Sequence, residues 1–329
     1  MPRSEGRGTG VSAGSRVIVS IGGNALIRRT GTGEIAEQLE NARSAMAAVT
    51  AMLSAGRRVV ITHGNGPVVG NIVLRNEAAR NVVPPMPLYI CDADSEGGVG
   101  FMIQHTLYNL LHVAGAASGT AREVAAIVTQ VVVDPEDPAF GEPTKPIGPW
   151  YTAEEAEAVR AARGWAMREE RGRGYRRVVP SPRPVRVVEA GVIERLADSG
   201  VVVIAAGGGG VPVVERADGT LYGVDAVIDK DHATTLLALE LDADLIINLT
   251  EVDMVYRGYG TAREEGIGVL TAEEAIRLLE AGEFPAGSMG PKVASAVEFL
   301  ERGGREVIIT SPARLEDALA GEAGTRVVP

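Results

Sequence analysis

Three times in this chain a short apolar run breaks off into glycine. Residues 17–21 run into Gly22, Gly23 and Asn24. Residues 58–62 run into His63, Gly64, Asn65, Gly66 and Pro67, and residues 201–206 into Gly207, Gly208, Gly209 and Gly210. After the first of these, residues 35–55 carry Leu39, Met46, Val49 and Leu53 at helical spacing. Val- and Ile-rich segments bounded by glycine read as buried strands, and strand, glycine loop, helix in repetition points to an open parallel sheet. Such sheets place ligands at the carboxyl ends of their strands, so the three loops are expected to converge on one crevice. Backbone without Cβ atoms can close its N–H groups around an anion, which makes phosphate the ligand class these loops suggest.

The cations sharpen this reading. The chain has 32 lysines and arginines, but only three are lysines: Lys145, Lys230 and Lys292. Arginine supplies the rest. Each lysine sits among Gly, Pro or Asp, where a compact ammonium on a flexible stem differs most from a planar guanidinium. The plainer alternative is that a compositional bias left three lysines over by chance.

At 329 residues the natural expectation is two lobes, 16–198 and 199–329, after a disordered Gly-, Ser- and Arg-rich tail at 1–15. A composition 45% hydrophobic but 4% aromatic implies an aliphatic core of the kind layered α/β folds use. The net charge of −11 argues against nucleic acid or an anionic membrane as a general partner, though a local basic pocket can still take a phosphate. No long apolar run suggests a membrane span, residues 1–15 show no signal-peptide core, and the single Cys91 fits a reducing cytoplasm.

Between Asp134 and Pro184 the chain changes character, with eight prolines enclosing a helical run at 153–169 and a basic tract at 171–177. This reads as an excursion from the sheet or as a long decorated loop. The last third returns to alternation: a strand at 245–249, helices at 272–281 and 291–302, and a strand at 306–310. Pro291 suits a first helical turn, but Lys292 beside it faces the positive end of the helix dipole, which a bound anion would relieve. Lys230 has a second explanation, an ion pair with Asp229 or Asp231.

Taken together, GGNAL at 22–26, THGNGP at 62–67, PTKPIGPWY at 143–151, RRVVPSPRP at 176–184, IAAGGGGVPV at 204–213, AVIDKD at 226–231 and GSMGPKV at 287–293 resemble the carbamate kinases. The seven motifs occur in order over nearly the whole chain, and three of them carry the only lysines. The resemblance implies the amino acid kinase fold: α/β, an open, mainly parallel eight-stranded sheet sandwiched between helices, with a protruding subdomain at about 133–184. It implies a carbamate-binding first lobe, an ATP- or ADP-binding second lobe, a homodimer, and magnesium.

The implied reaction is reversible transfer of a phosphoryl group between ATP and carbamate, with ADP and carbamoyl phosphate on the other side. Two anions must meet in line while charge spreads over the moving group, so positioning and electrostatics carry the catalysis. Lys230 and Lys292 are the candidates for neutralising the phosphates, and Lys145 for closing over them. Gly22, Gly23, Asn24, Gly64, Asn65 and Gly66 would hold carbamate or the transferring group, and Gly207 to Gly210 would lie against the phosphates. By resemblance, Asp231, Asp253, Tyr256 and Met289 would line the nucleoside pocket. No carboxylate cage is evident, so magnesium is expected on the nucleotide phosphates.

One segment departs from the family. Where carbamate kinases usually carry Ser-Gln-Gly after small or apolar residues, this chain has Asp92, Ala93, Asp94, Ser95, Glu96 and Gly97. Extra carboxylates there are unfavourable next to an anionic substrate, unless they face solvent or pair with arginine. The departure leaves open a same-fold kinase for another small carboxylate or phosphonate, and a non-catalytic nucleotide sensor is the remaining alternative. His63, His105 and His232 lack metal-ligand spacing and read as hydrogen-bonding or surface residues.

Overall fold

The structure is a computed structural model that describes residues 14–23, 33–118, 122–170, 172–285 and 288–329. Most of the expected tail, Asn24 and Gly287 lie outside the described residues.

The described chain begins with β1 (Arg16–Ile21), α1 (Ile35–Ser54), β2 (Arg58–His63), α2 (Gly66–Ala79) and α3 (Leu88–Ser118), followed by β3 (Val124–Ala126) and β4 (Gln130–Val133). The excursion then contributes β5 (Lys145–Tyr151), α4 (Ala153–Arg163), β6 (Met167–Glu170) and β7 (Gly174–Val179). After it come β8 (Pro184–Val187), α5 (Ala190–Asp198), β9 (Val202–Ile204), β10 (Val211–Glu215), β11 (Leu221–Gly223), α6 (Lys230–Glu240) and β12 (Leu245–Leu249). The remainder is β13 (Val255–Arg257), β14 (Glu265–Ile267), β15 (Val269–Thr271), α7 (Ala272–Glu280), α8 (Met289–Glu301), β16 (Glu306–Thr310), α9 (Leu315–Ala320) and β17 (Thr325–Val328).

Eight strands form one sheet in the order β15-β17-β16-β12-β1-β2-β9-β3, parallel throughout except where β17 runs against β16. Both faces are covered, which is why its central strands read as unbroken apolar runs. Alternation along β1 sends Val17, Val19 and Ile21 into a core with α1, α3 and α9, and Ile18 into a second core with α5, α6 and α8. Ser20 shares the parity of Ile18 and therefore faces α6. β9, the first strand past the expected lobe boundary, lies between β2 and β3.

The excursion leaves and re-enters at neighbouring points, because β4 and β8 pair antiparallel at its two ends. Its body is a three-stranded sheet, β5-β7-β6. The helical run expected at 153–169 is shorter than the sequence pattern suggests. A capping box of Thr152 and Glu155 starts α4, and Gly164 at φ 66° ends it, so Met167–Glu170 turns back as β6 instead. Arg177 lies over the Trp165 ring at 4.0 Å, and Arg173 and Arg176 flank Trp150, so the basic tract packs on aromatic faces.

Candidate active site

The carboxyl ends of β1 and β2 meet the N-terminus of α6. Gly64 N donates to Ile21 O at 2.9 Å, and a Cβ on Gly64 would lie 2.8 Å from Gly23 N and 3.2 Å from Lys230 Cδ. Glycine is required at this crossing because the two loops and the lysine stem occupy the space of any side chain. The lysine tip continues to Ser20, donating to its Oγ at 2.7 Å. Thr234 joins the same polar patch, with Thr62 Oγ1 2.7 Å from Thr234 Oγ1.

All three lysines converge on the segment 229–231. Lys230 Nζ lies 2.9 Å from Asp231 Oδ1, and Lys292 Nζ lies 3.0 Å from Asp231 Oδ2. Lys145, carried in on β5, donates to Asp229 Oδ2 at 2.5 Å. Asp229 also caps α6 through the Asp231 amide, at 2.9 Å. The oddity of Lys292 in the first turn of α8 is met here by the Asp231 carboxylate, so a protein anion already occupies the place expected for a phosphate. The ion-pair alternative for Lys230 likewise holds, as part of this cluster.

Charge explains what the cluster can do. Three ammonium groups face two carboxylates, which leaves one positive charge to meet an anion. Burial alone would raise the Asp231 carboxyl, but Lys230 and Lys292 outweigh it and hold it far below the usual carboxylate range. Burial pulls Lys230 down to about 8, with Asp231 opposing and Lys292 assisting the drop. A polyanion arriving here gains by completing the neutralisation of a cluster that is short of negative charge.

The glycine run is packed from end to end. A Cβ would lie 2.3 Å from His63 Nε2 at Gly207, 2.4 Å from Asn65 Nδ2 at Gly208, 2.4 Å from Ile228 O at Gly209 and 2.4 Å from Val131 Cγ2 at Gly210. The run is thus wedged between the 63–66 loop and the residue that precedes Asp229. His63 is fully buried, its Nδ1 against Gly64 O at 3.2 Å, and burial holds it down at about 4. With Glu96 and Gly207 it borders a cavity of about 220 Å³ that reaches Phe101 and Gln104 of α3.

Of the other expected residues, Met289 lies one turn before Lys292 on α8. Asp253 accepts from Ser311 Oγ at 2.6 Å, Tyr256 lies against Tyr259 with ring centroids 6.0 Å apart, and Met289 opens α8. Among the described residues no group of three or more His, Cys, Asp or Glu is placed to hold a metal ion.

The departing segment does not behave as its sequence suggests. Only Asp94 is exposed. Asp92 and Glu96 are buried, and among the described residues neither pairs with arginine. Glu96 accepts the amide hydrogens of Gly207 at 2.8 Å and Thr129 at 3.1 Å, while both Asp92 oxygens are buried without a hydrogen-bond partner. Burial, with Asp225 and Glu96 adding, pushes Asp92 well above the usual carboxylate range. Sequence reasoning also passed over Ser20, Thr62, Thr129 and Thr234. The available signal was a small polar residue, Ser20, inside the apolar run RVIVSI, since a fully buried hydroxyl must find a partner.

The amino acid kinase family model matches residues 15–311. The carbamate kinase of Pyrococcus horikoshii is 44% identical over 316 residues, covering 95% of this chain and 99% of that protein. The Giardia lamblia carbamate kinase bound to AMP-PNP superposes with a TM-score of 0.87 at 43% identity, covering 97% of this chain and 99% of that one. The same Giardia enzyme thiocarbamoylated by disulfiram on a cysteine gives 0.85 at 43% identity, covering 96% and 99%.

Proposed function

The chain belongs to the amino acid kinase family and stands with its carbamate kinases, and on that premise we propose that it moves a phosphoryl group reversibly between ATP and carbamate. The observation that carries this reading is the convergence of Lys145, Lys230 and Lys292, the chain's only lysines, on Asp229 and Asp231.

In this reading the lysines exchange carboxylate contacts for phosphate oxygens as the substrates bind. Three preorganised ammonium groups then face the charge that spreads over the moving phosphoryl group. Gly22, Gly23, Gly64 and Gly66 hold the acceptor side with Asn24 and Asn65. Asp253, Tyr256 and Met289 serve the nucleoside, and the glycine run at 207–210 fixes the acceptor loop against the segment 229–231. Magnesium is proposed to arrive on the nucleotide phosphates and to offset their charge, since Asp229 and Asp231 are both engaged by lysine. A homodimer is proposed through α3, whose Phe101, Tyr108 and Val113 are exposed apolar residues. Among the described residues no helix is long and apolar enough to cross a membrane, and a cytoplasmic location is proposed.

The buried Asp92 and Glu96 favour one second reading, another small acceptor in place of carbamate. An acceptor screen with ATP and magnesium separates the two: carbamate should outpace acetate and amino-acid carboxylates, and a faster rate with any of these would move the assignment to that acceptor.

A further inference from the structure

We propose that Glu96 is a positioning residue for phosphoryl transfer, a buried carboxyl that clamps the start of the glycine run to α3 and so sets Asn65 in the acceptor loop. The role rests on the kinase reading above, but the contacts behind it do not.

Glu96 is 4% exposed, and its two oxygens bind two different segments. Oε1 accepts from Gly207 N at 2.8 Å and Oε2 from Thr129 N at 3.1 Å. Thr129 extends the clamp by one residue, since its Oγ1 accepts from Ala206 N at 2.9 Å. Ala206 needs holding, because it sits at φ 49°, a left-handed conformation unfavourable for a residue with a Cβ. The residue beside Glu96 takes the other loop: Ser95 Oγ accepts from Asn65 Nδ2 at 3.2 Å. Gly208 and Asn65 are then in direct contact, with no room for a Cβ between them. Two successive residues of α3 therefore fix both partners of one contact, and a shift of the glycine run at 207 is passed to the Asn65 amide through Gly208.

The protonation state of Glu96 matters because of where it sits. Burial pushes the carboxyl up to about 8, while the Thr129 and Gly207 amides pull it down and Glu189 raises it. The other titratable neighbours are Asp92 on the same helix and His63 on β2, which burial holds neutral above about 4. None of these supplies a positive charge at neutral pH. Losing the proton from Glu96 therefore places a negative charge, met by two backbone amides but by none of these neighbours' charges, directly behind the loop that must receive an anionic acyl phosphate.

Glu96→Gln keeps the shape and stays neutral at every pH, although its amide has one acceptor oxygen and keeps only one of the two clamp bonds, while Glu96→Ala removes the clamp. The experiment measures kcat/KM for carbamoyl phosphate with ADP from pH 7 to 9, and amide hydrogen exchange over 126–130 and 205–210 in the folded proteins. Any alkaline loss that comes from Lys230 is shared by wild type and Glu96→Gln and cancels in their ratio. With a carboxyl titrating near 8, the wild-type to Glu96→Gln ratio should fall about tenfold between pH 7 and 9. Glu96→Ala should speed exchange in both segments. A constant ratio, or unchanged exchange in Glu96→Ala, overturns the positioning role and leaves the kinase reading intact if the wild type makes ATP. A wild type that makes no ATP overturns both the kinase reading and this role.

Discussion

Lys145 Nζ and Asp229 Oδ2 lie 2.5 Å apart across 84 residues of sequence, a contact that joins the protruding sheet to the N-cap of α6. The pair is part-exposed, so it contributes only about 0–1 kcal/mol to folding, and its weight falls on where the protruding sheet rests. Lys145→Met should therefore leave thermal stability nearly unchanged while speeding amide exchange across β5 and β7. Addition of ADP with an acyl phosphate analogue should slow exchange there in the wild type, as it does for lids. Unchanged exchange in both experiments would make the protruding sheet a passive decoration.

Replacing each lysine by arginine separates shape from charge. The guanidinium keeps the charge but cannot converge on a phosphoryl group as an ammonium does. Loss of one preorganised donor costs about 10²- to 10³-fold in kcat. The structure adds a distinction invisible in the sequence. Lys145 is part-exposed, whereas Lys230 and Lys292 share the buried Asp231 carboxylate, so Lys230→Arg and Lys292→Arg should also lose about 1–3 kcal/mol to overpacking. Near-normal turnover in all three variants would reduce the lysines to a compositional accident.

Buried His63 and Glu96 push stability in opposite directions with pH. His63 is depressed from 6.5 to about 4, so the folded chain binds fewer protons there than the unfolded one. Its contribution is complete above pH 6.5 and is lost as pH falls towards 4. Glu96 is raised from 4.5 to about 8, so its contribution is complete below 4.5 and is lost as pH rises to 8. Between 6.5 and 8 the His63 slope has ended and the Glu96 slope remains, while any slope from the raised Asp92 is common to wild type and Glu96→Gln, so the stability of Glu96→Gln relative to wild type should climb by up to about 1.4 kcal/mol per pH unit. Denaturant titrations at pH 6.5 and 8 measure it, and a pH-independent difference would contradict a buried protonated Glu96.

Much of this was legible beforehand, for identifiable reasons. The strands at 245–249 and 306–310 are found at the boundaries read from sequence, because central parallel strands are apolar on both faces and end where polarity returns. The meeting of the loop at 22–23 with the loop at 63–66, and of the latter with the glycine run, follows from parallel topology. Sheet order was not legible: nothing local in Val202–Ile204 says that it slots between β2 and β3. Nor was the partner of Glu96, since a backbone amide 111 residues away leaves no mark in the pattern around position 96. The false extension of α4 came from reading residues 165–169 as helix past Gly164, where tertiary pairing with β7 decided the outcome.

Cys91, the only cysteine, is fully buried on α3, and burial pushes its thiol up to about 11, with Asp92 and Asp94 adding. Thiolate is the reactive form, and it is both scarce and covered here. Disulfiram, which modifies a cysteine of the Giardia enzyme, should leave the native chain unlabelled and fully active, and label it once only after denaturation. Stoichiometric labelling of the folded protein by mass spectrometry would show that α3 opens far more than this packing allows.

The most direct measurement is ATP formation from ADP and carbamoyl phosphate by the purified chain, followed in a coupled assay with and without magnesium. ATP should form at a rate well above the uncatalysed one, dependent on magnesium, and at least about a hundredfold lower in Lys230→Arg. Folded wild-type protein that yields no ATP above the uncatalysed rate with magnesium present would contradict the kinase reading.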